Sequence, residues 1–202
     1  LLFLLIGSKL RIGHGSKGFG LFLTHKISDD IFNKKHIVDA MLDIAILAGG
    51  ISDNIGIECF WNANVESKWD QFFTRNKTEQ YKLNIGINPG GAKPVHFWDL
   101  EKFVLLANRL VNQTQANILI LGGNNDIYRA NYISTSMSKN HFNLVAKTSL
   151  NDLIYVISKL DLVITTDSAP MHIAAALGIP TVAIFGSANY RMYGPYNSKH
   201  NY

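Results

Sequence analysis

The chain has 202 residues, 47% hydrophobic and 17% charged, enough to bury a core as one large domain or two small lobes and to exclude overall disorder. Nineteen Lys and Arg against fifteen Asp and Glu leave a formal charge of +4, with no basic run interleaved with aromatics. A nucleic-acid groove is therefore set aside, while a phosphate-bearing small molecule or an anionic membrane surface fits the charge. The single cysteine, Cys59, rules out an intrachain disulfide framework and reads as a reduced thiol in a cytoplasmic protein.

The opening LLFLLIG falls far short of the roughly 20 apolar residues of a spanning helix and lacks the basic leader of a signal peptide. With no initial methionine and an end at NSKHNY, the sequence reads as a piece of a longer protein. After the glycine-rich RIGHGSKGFG comes a helical pattern, KHIVDAMLDIAILAGG, in which Val38, Met41, Leu42 and Ala45 recur at three-and-four spacing and Gly49-Gly50 gives the stop. The polar segment 51–80 has no period and reads as a connector, with a boundary near Tyr81 dividing 1–80 from 81–202.

Beyond Tyr81 short apolar runs alternate with helical patterns. KLNIGIN, NILILGG, FNLVAK, DLVITT and TVAIFG are the expected strands; helices are expected from Asp99, after Asn124, from Asn151 and from Ser168. Parallel strands need crossovers and crossovers are usually helices, so this alternation predicts an α/β fold, a Rossmann-like parallel sheet covered on both faces. Asp99 and Asn151 stand where a helix cap would accept amides of the first turn.

Ligands of open α/β sheets sit at the carboxyl ends of strands, and three such ends carry polar chemistry. In TTDSAPMHIAAALGIP the helix start at Ser168 and the small Ala169 offer bare amides to an anion, beside Asp167 and His172. By themselves Asp167 and Ser168 read more simply as a plain helix cap, and His172 as a partner for a carbonyl. In NPGGAKPVHFW the glycines expose amides near Lys93 and His96, or form an ordinary turn. In LGGNNDIYRA, Asp126 stands where an acid can take ribose hydroxyls, or decorates a first helical turn. No His or Cys spacing for zinc, no G-x-S-x-G elbow and no Asp-x-Asp is present, so neither a metal nor any other cofactor is expected.

TTDSAPMHIAAALGIPTVAIFGSANYRMYGP resembles the signature of glycosyltransferase family 9, the lipopolysaccharide heptosyltransferases, and NPGGAKPVHFWDLEKFVLLANRL resembles that family's Pro-Gly-Ala loop and the tryptophan opening the next helix. SKLRIGHGSKGFGLFLTH and KHIVDAMLDIAILAGG resemble the last part of its first domain. The resemblance implies a GT-B architecture of two Rossmann-like domains and metal-independent, inverting transfer of heptose from ADP-heptose to a lipid-linked core oligosaccharide at the inner face of the cytoplasmic membrane. Residues 1–80 would then be the remainder of the acceptor-side domain with its linker, and 81–202 the donor-binding domain.

Carried over residue by residue, the resemblance implies that Asp167 holds donor sugar hydroxyls, the amides of Ser168 and Ala169 hold the diphosphate, and His172 lines the same pocket. Gly91 and Ala92 would face the phosphates, Asp126 the ribose and Thr148 the adenine. Ala169 stands in place of the family's glycine, which its site tolerates if the backbone there is not left-handed. His96 stands where many members have lysine, leaving phosphate neutralisation to Lys93. The family's catalytic base, an early aspartate, has no counterpart here; Asp29 and Asp30 belong to another motif. The competing readings are a non-catalytic nucleotide-binding module or remnant, and a GT-B-like epimerase that would prefer UDP.

Overall fold

Two three-residue strands, β1 (Ile12–His14) inside the glycine-rich passage and β2 (His25–Ile27) after it, pair in parallel with Ile12 opposite His25. The helix expected after them forms as α1 (Ile37–Leu47). Its cap is His36, whose Nδ1 accepts from the Val38 amide at 3.2 Å while Nε2 donates to the Gly194 carbonyl at 2.8 Å. Gly49, at φ +94°, ends it as the sequence implied. The structure is a computed structural model that describes residues 5–15, 20–28, 34–52, 56–76, 78–91 and 93–196. Much of the opening apolar run, together with Asp29, Asp30 and Ala92, lies outside the described residues.

The chain divides into two compact units, Leu1–Ile55 with Asn189–Gly194, and Gly56–Ala188 with Pro195–Tyr202. This is earlier than the expected boundary near Tyr81, because the segment read as a connector holds a helix, α2 (Asn64–Arg75), that packs into the second unit. Its Trp69 is 4% exposed, in one cluster with Leu119, Val156 and Ala174. The periodic signal was there to read: Val65, Trp69, Phe72 and Phe73 recur at three-and-four spacing within a polar segment, and that face is what docks the helix.

The second unit then runs β3 (Leu83–Asn88), α3 (Leu100–Thr114), β4 (Ala116–Ile120), α4 (Ile127–Thr135), β5 (His141–Asn143), α5 (Leu150–Ser158), β6 (Leu162–Thr166), α6 (Ala169–Ala176) and β7 (Thr181–Ile184). The short α7 (Tyr190–Tyr193) belongs to the first unit. The strands form one parallel sheet in the order β5-β4-β3-β6-β7. Strand direction alternates side chains between faces. Ile118 and Ile120 join Phe103, Ala107 and Ile133 of α3 and α4 in one core, while Leu119 and Leu121 join Trp69 and Ile157 in the other. Gly86 lies in the middle of β3 because a Cβ there would stand 2.6 Å from Leu160 Cδ1 on the second face.

Two expectations of detail change. Asp99 caps α3 by accepting from the Glu101 amide at 2.9 Å, but α5 is capped by Ser149, not Asn151, through a capping box with Asp152. The strand expected through FNLVAK stops at Asn143, since the Asn143 carboxamide accepts from the Val145 amide and Ala146 takes φ +59°, turning the chain towards Thr148. The end of α6 is as expected. Gly178 is left-handed at φ +70°, and the Gly178 and Ile179 amides return to Ala175 and Ala174 at 3.2 and 2.9 Å.

Candidate functional site

Strand β3 passes to β4 on one side and β6 on the other, and at such a reversal the loops beyond the strands separate and leave a crevice. A cleft of about 610 Å³ opens there, within the second unit. Asn88, Gly91, Ser168 and Ala169 form one wall, Gly123 to Asp126 a second, and Thr148, Ser149 and Leu153 a third.

The floor is a buried polar network that composition does not announce. Asn88 is 2% exposed and Thr165 and Thr166 are wholly buried. Asn88 Nδ2 donates to Thr165 Oγ1 at 3.2 Å and to Ser168 Oγ at 2.7 Å, and Ser168 Oγ donates to the Thr166 carbonyl at 3.1 Å. The Thr166 hydroxyl donates to the Gly90 carbonyl, tying the loop after β3 to the strand beside it. Such groups are tolerated in a core only when paired, and here the pairing fixes both loops.

One consequence falls on α6. Ser168 is its N-cap by backbone geometry, yet its hydroxyl makes no capping bond because it is turned back into the sheet. Pro170 has no N–H and the Met171 amide returns to the Ser168 carbonyl at 3.1 Å, so the helix start faces the cleft with the backbone of Ser168 and Ala169. Ala169 is helical and absent from the positive-φ residues, so alanine serves where the related motif has glycine.

Asp126 sits in the short 3₁₀ turn Asn124–Asp126, its Oδ2 accepting from the Gly123 amide at 2.9 Å. Its carboxylate lies against the bare Cα atoms of Gly90 and Gly122. Asn124 and Asn125 beside it are exposed on the cleft wall.

The third wall is braced from behind. Ser149 Oγ and N donate to Asp152 Oδ2 at 2.7 and 2.9 Å, while Lys68 Nζ and Trp69 Nε1 donate to Oδ1 at 2.9 and 2.6 Å. Burial pushes the Asp152 carboxyl upward, but the bonds from Ser149, Lys68 and Trp69 outweigh it and hold the group well below the usual carboxylate range. The start of α5 is thereby fastened to α2.

Of the residues expected at the site, Gly91, Asp126, Thr148, Ser168 and Ala169 meet in this cleft. Asp167 is half-buried directly after β6, next to the wall and not part of it. His172 is half-buried three positions after Ala169 on α6, about 5 Å along the axis, and is not among the residues that form the wall. Lys93 is exposed and off the walls, and the backbone of His96 lies in the 3₁₀ turn Pro94–His96. Asn88, Ser149, Asn124 and Asn125 were missed; an asparagine at the end of an apolar strand was the available signal. Among the described residues no cluster of three or more His, Cys, Asp or Glu could hold a metal ion.

The family model of glycosyltransferase family 9 (heptosyltransferase) matches residues 1–202. The lipopolysaccharide core heptosyltransferase OpsX of Haemophilus influenzae is 27% identical over 209 residues, covering 97% of this chain and 56% of its own. The crystal structure of the glycosyl transferase family 9 protein from Veillonella parvula matches at TM-score 0.82 and 25% identity, over 97% of this chain and 57% of that one. The ADP-heptose lps heptosyltransferase II of E. coli matches at TM-score 0.75 and 20% identity, over 99% and 63% respectively. The chain spans about half the length of the curated relatives it matches. With a crevice at the sheet's switch point, the GT-B class of α/β fold and a family match running from the first residue to the last, this chain belongs to glycosyltransferase family 9.

Proposed function

We propose that the chain is the donor-binding half of an inverting glycosyltransferase that moves heptose from ADP-heptose to the lipopolysaccharide core. The observation that carries this reading is the start of α6 on the cleft wall, with the Ser168 hydroxyl held away from its capping role by Asn88. Helix-start amides and the positive end of the helix dipole suit the charge that builds on a departing diphosphate. Asp126 stands about where ribose hydroxyls would lie, and Thr148, Ser149 and Leu153 offer an edge-and-face wall for a base. Lys93 and Gly91, on the loop after β3, would supply further donors to phosphate, and Ala92 would follow them in the chain. Asp167, beside the wall, would meet the sugar, with His172 behind it. Deprotonation of the acceptor hydroxyl falls to a group outside this set.

Family membership favours the transferase over a non-catalytic nucleotide-binding module. The name lipopolysaccharide core heptosyltransferase borne by a relative supports an acceptor on lipopolysaccharide and, with it, peripheral contact with the inner membrane face; no helix among the described residues is long and apolar enough to cross a membrane.

Calorimetric titration of the chain with ADP and UDP tests the donor site. ADP is expected to bind at least tenfold tighter, about 1.4 kcal/mol; a UDP preference favours the epimerase-like reading, and no binding of either nucleotide removes the donor site. In the intact enzyme, Asp167→Ala is expected to raise the donor KM and cut kcat by about 100-fold or more. Unchanged kinetics would take Asp167 out of the site.

A further inference from the structure

One side chain outside the cleft's walls holds together the loop that forms its phosphate side. Arg129, in the first turn of α4, donates from Nε to the Pro89 carbonyl and from an Nη to the Trp98 carbonyl, each at 2.9 Å. Pro89 and Trp98 are the two ends of the ten-residue segment that carries Gly90, Gly91 and Lys93. The guanidinium also lies over the Phe97 ring, 3.9 Å from its centroid. Adjacent donors on one planar fork draw both carbonyls to the same edge of a rigid group, so the loop is closed at its neck.

Other restraints act further along the loop. Gly90 is fixed at its carbonyl by Thr166 and at its Cα by the Asp126 carboxylate. Val95 O approaches Gly186 so closely that a Cβ there would stand 2.6 Å away. The neck bonds differ in coming from a residue on the ribose-side helix, three positions after Asp126. One element thereby supplies a cleft carboxylate and fixes the opposite loop.

Resting on the donor-site reading, we infer that Arg129 is a positioning residue for the donor diphosphate. It stands outside the cleft's walls and holds the Pro89–Trp98 loop at the separation from α6 that lets both sets of amides meet one diphosphate. A loop released at its neck regains conformational freedom that ligand binding must then remove. The base wall, built on α5 and the turn before it, does not depend on this loop.

The experiment is titration of the chain and its Arg129→Gln and Arg129→Lys variants with ADP and with adenosine, with thermal unfolding alongside. Arg129→Gln is expected to weaken ADP about tenfold and adenosine less than about twofold. Arg129→Lys, which keeps the charge without the planar fork, is expected to fall between, and carries the same contrast if the glutamine variant does not fold. A parallel loss for ADP and adenosine, or an unchanged ADP affinity, overturns the positioning role and leaves a merely structural arginine. Failure of the unmodified chain to bind ADP removes the donor-site reading instead, and this role with it.

Discussion

Replacing Asp152 with alanine is expected to cost about 3 kcal/mol of stability. Asp152 is 7% exposed and accepts from Ser149, Lys68 and Trp69. Alanine would leave the Trp69 indole N–H without its acceptor in a packed position and remove the Asp152 side of the α5 capping box. Lys68 is half-exposed and can return to water, so the larger share of the loss belongs to the indole and the cap. A fall in Tm of roughly 10 °C is the expected reading.

The pH dependence has a definite sign. The Asp152 carboxyl is lowered in the fold, so its stabilisation is present above the pKa of an unfolded aspartate, about 3.9, and is lost as pH falls through the folded value. The wild type and Asp152→Asn are therefore expected to differ by a constant amount from pH 5 to 8 and to converge below about pH 4. A difference that grows on acidification would show that this carboxylate is not the favoured, hydrogen-bonded ion described above.

Gly90→Ala is expected to weaken ADP binding by at least about tenfold and to destabilise the second unit by about 1–3 kcal/mol. A methyl at Gly90 would enter the Asp126 carboxylate, whose oxygens and Cγ are the atoms nearest that position. Asp126 is held in place by the Gly123 amide, which donates to its Oδ2 at 2.9 Å, so a retreat would break that bond. The loop must move, and the Gly90 carbonyl with it, away from the buried Thr166 hydroxyl. A double-mutant cycle checks this route. With Asp126→Ala in place, Gly90→Ala should lose most of its effect on stability, whereas additive losses would locate the clash elsewhere.

Much of this was legible in the residues. The alternation of apolar runs and helical patterns after Tyr81 predicted a parallel sheet, and the sheet appears with each expected strand present. The helix starts at Asp99 and Ser168 and the glycine stops were readable because caps and left-handed turns depend on local chemistry. What escaped was non-local. Trp69 fastens α2 to a residue 83 positions later, a pairing no window of sequence contains. Ser149 displaced Asn151 as a cap because its partner Asp152 is anchored by that same tryptophan.

The site divides along the same line. Gly91, Asp126, Thr148, Ser168 and Ala169 come together because each sits just past the end of a strand or at the start of a helix. His172, named for its place in a motif, stands near the start of α6 but is not among the residues of the cleft's walls. Asn88 was passed over because an amide at a strand end reads as a turn residue. Its two hydrogen bonds to the neighbouring strand's end show instead that it fixes the posture of Ser168.

The position of β3 in the middle of the sheet bears on how the protein folds. It pairs with β4, Ile85 opposite Ile118, and with β6, Asn88 opposite Thr165, a partner 77 residues downstream. Contacts of such separation form late and slowly, since a long loop must close before they repay its entropy. The Asn88, Thr165 and Ser168 bonds that shape the cleft floor therefore cannot arise until most of the unit has been assembled, and until then β3 has an unpaired edge open to wrong partners. Nucleotide binding would accordingly reward only the completed sheet, drawing the last step of folding forward by mass action.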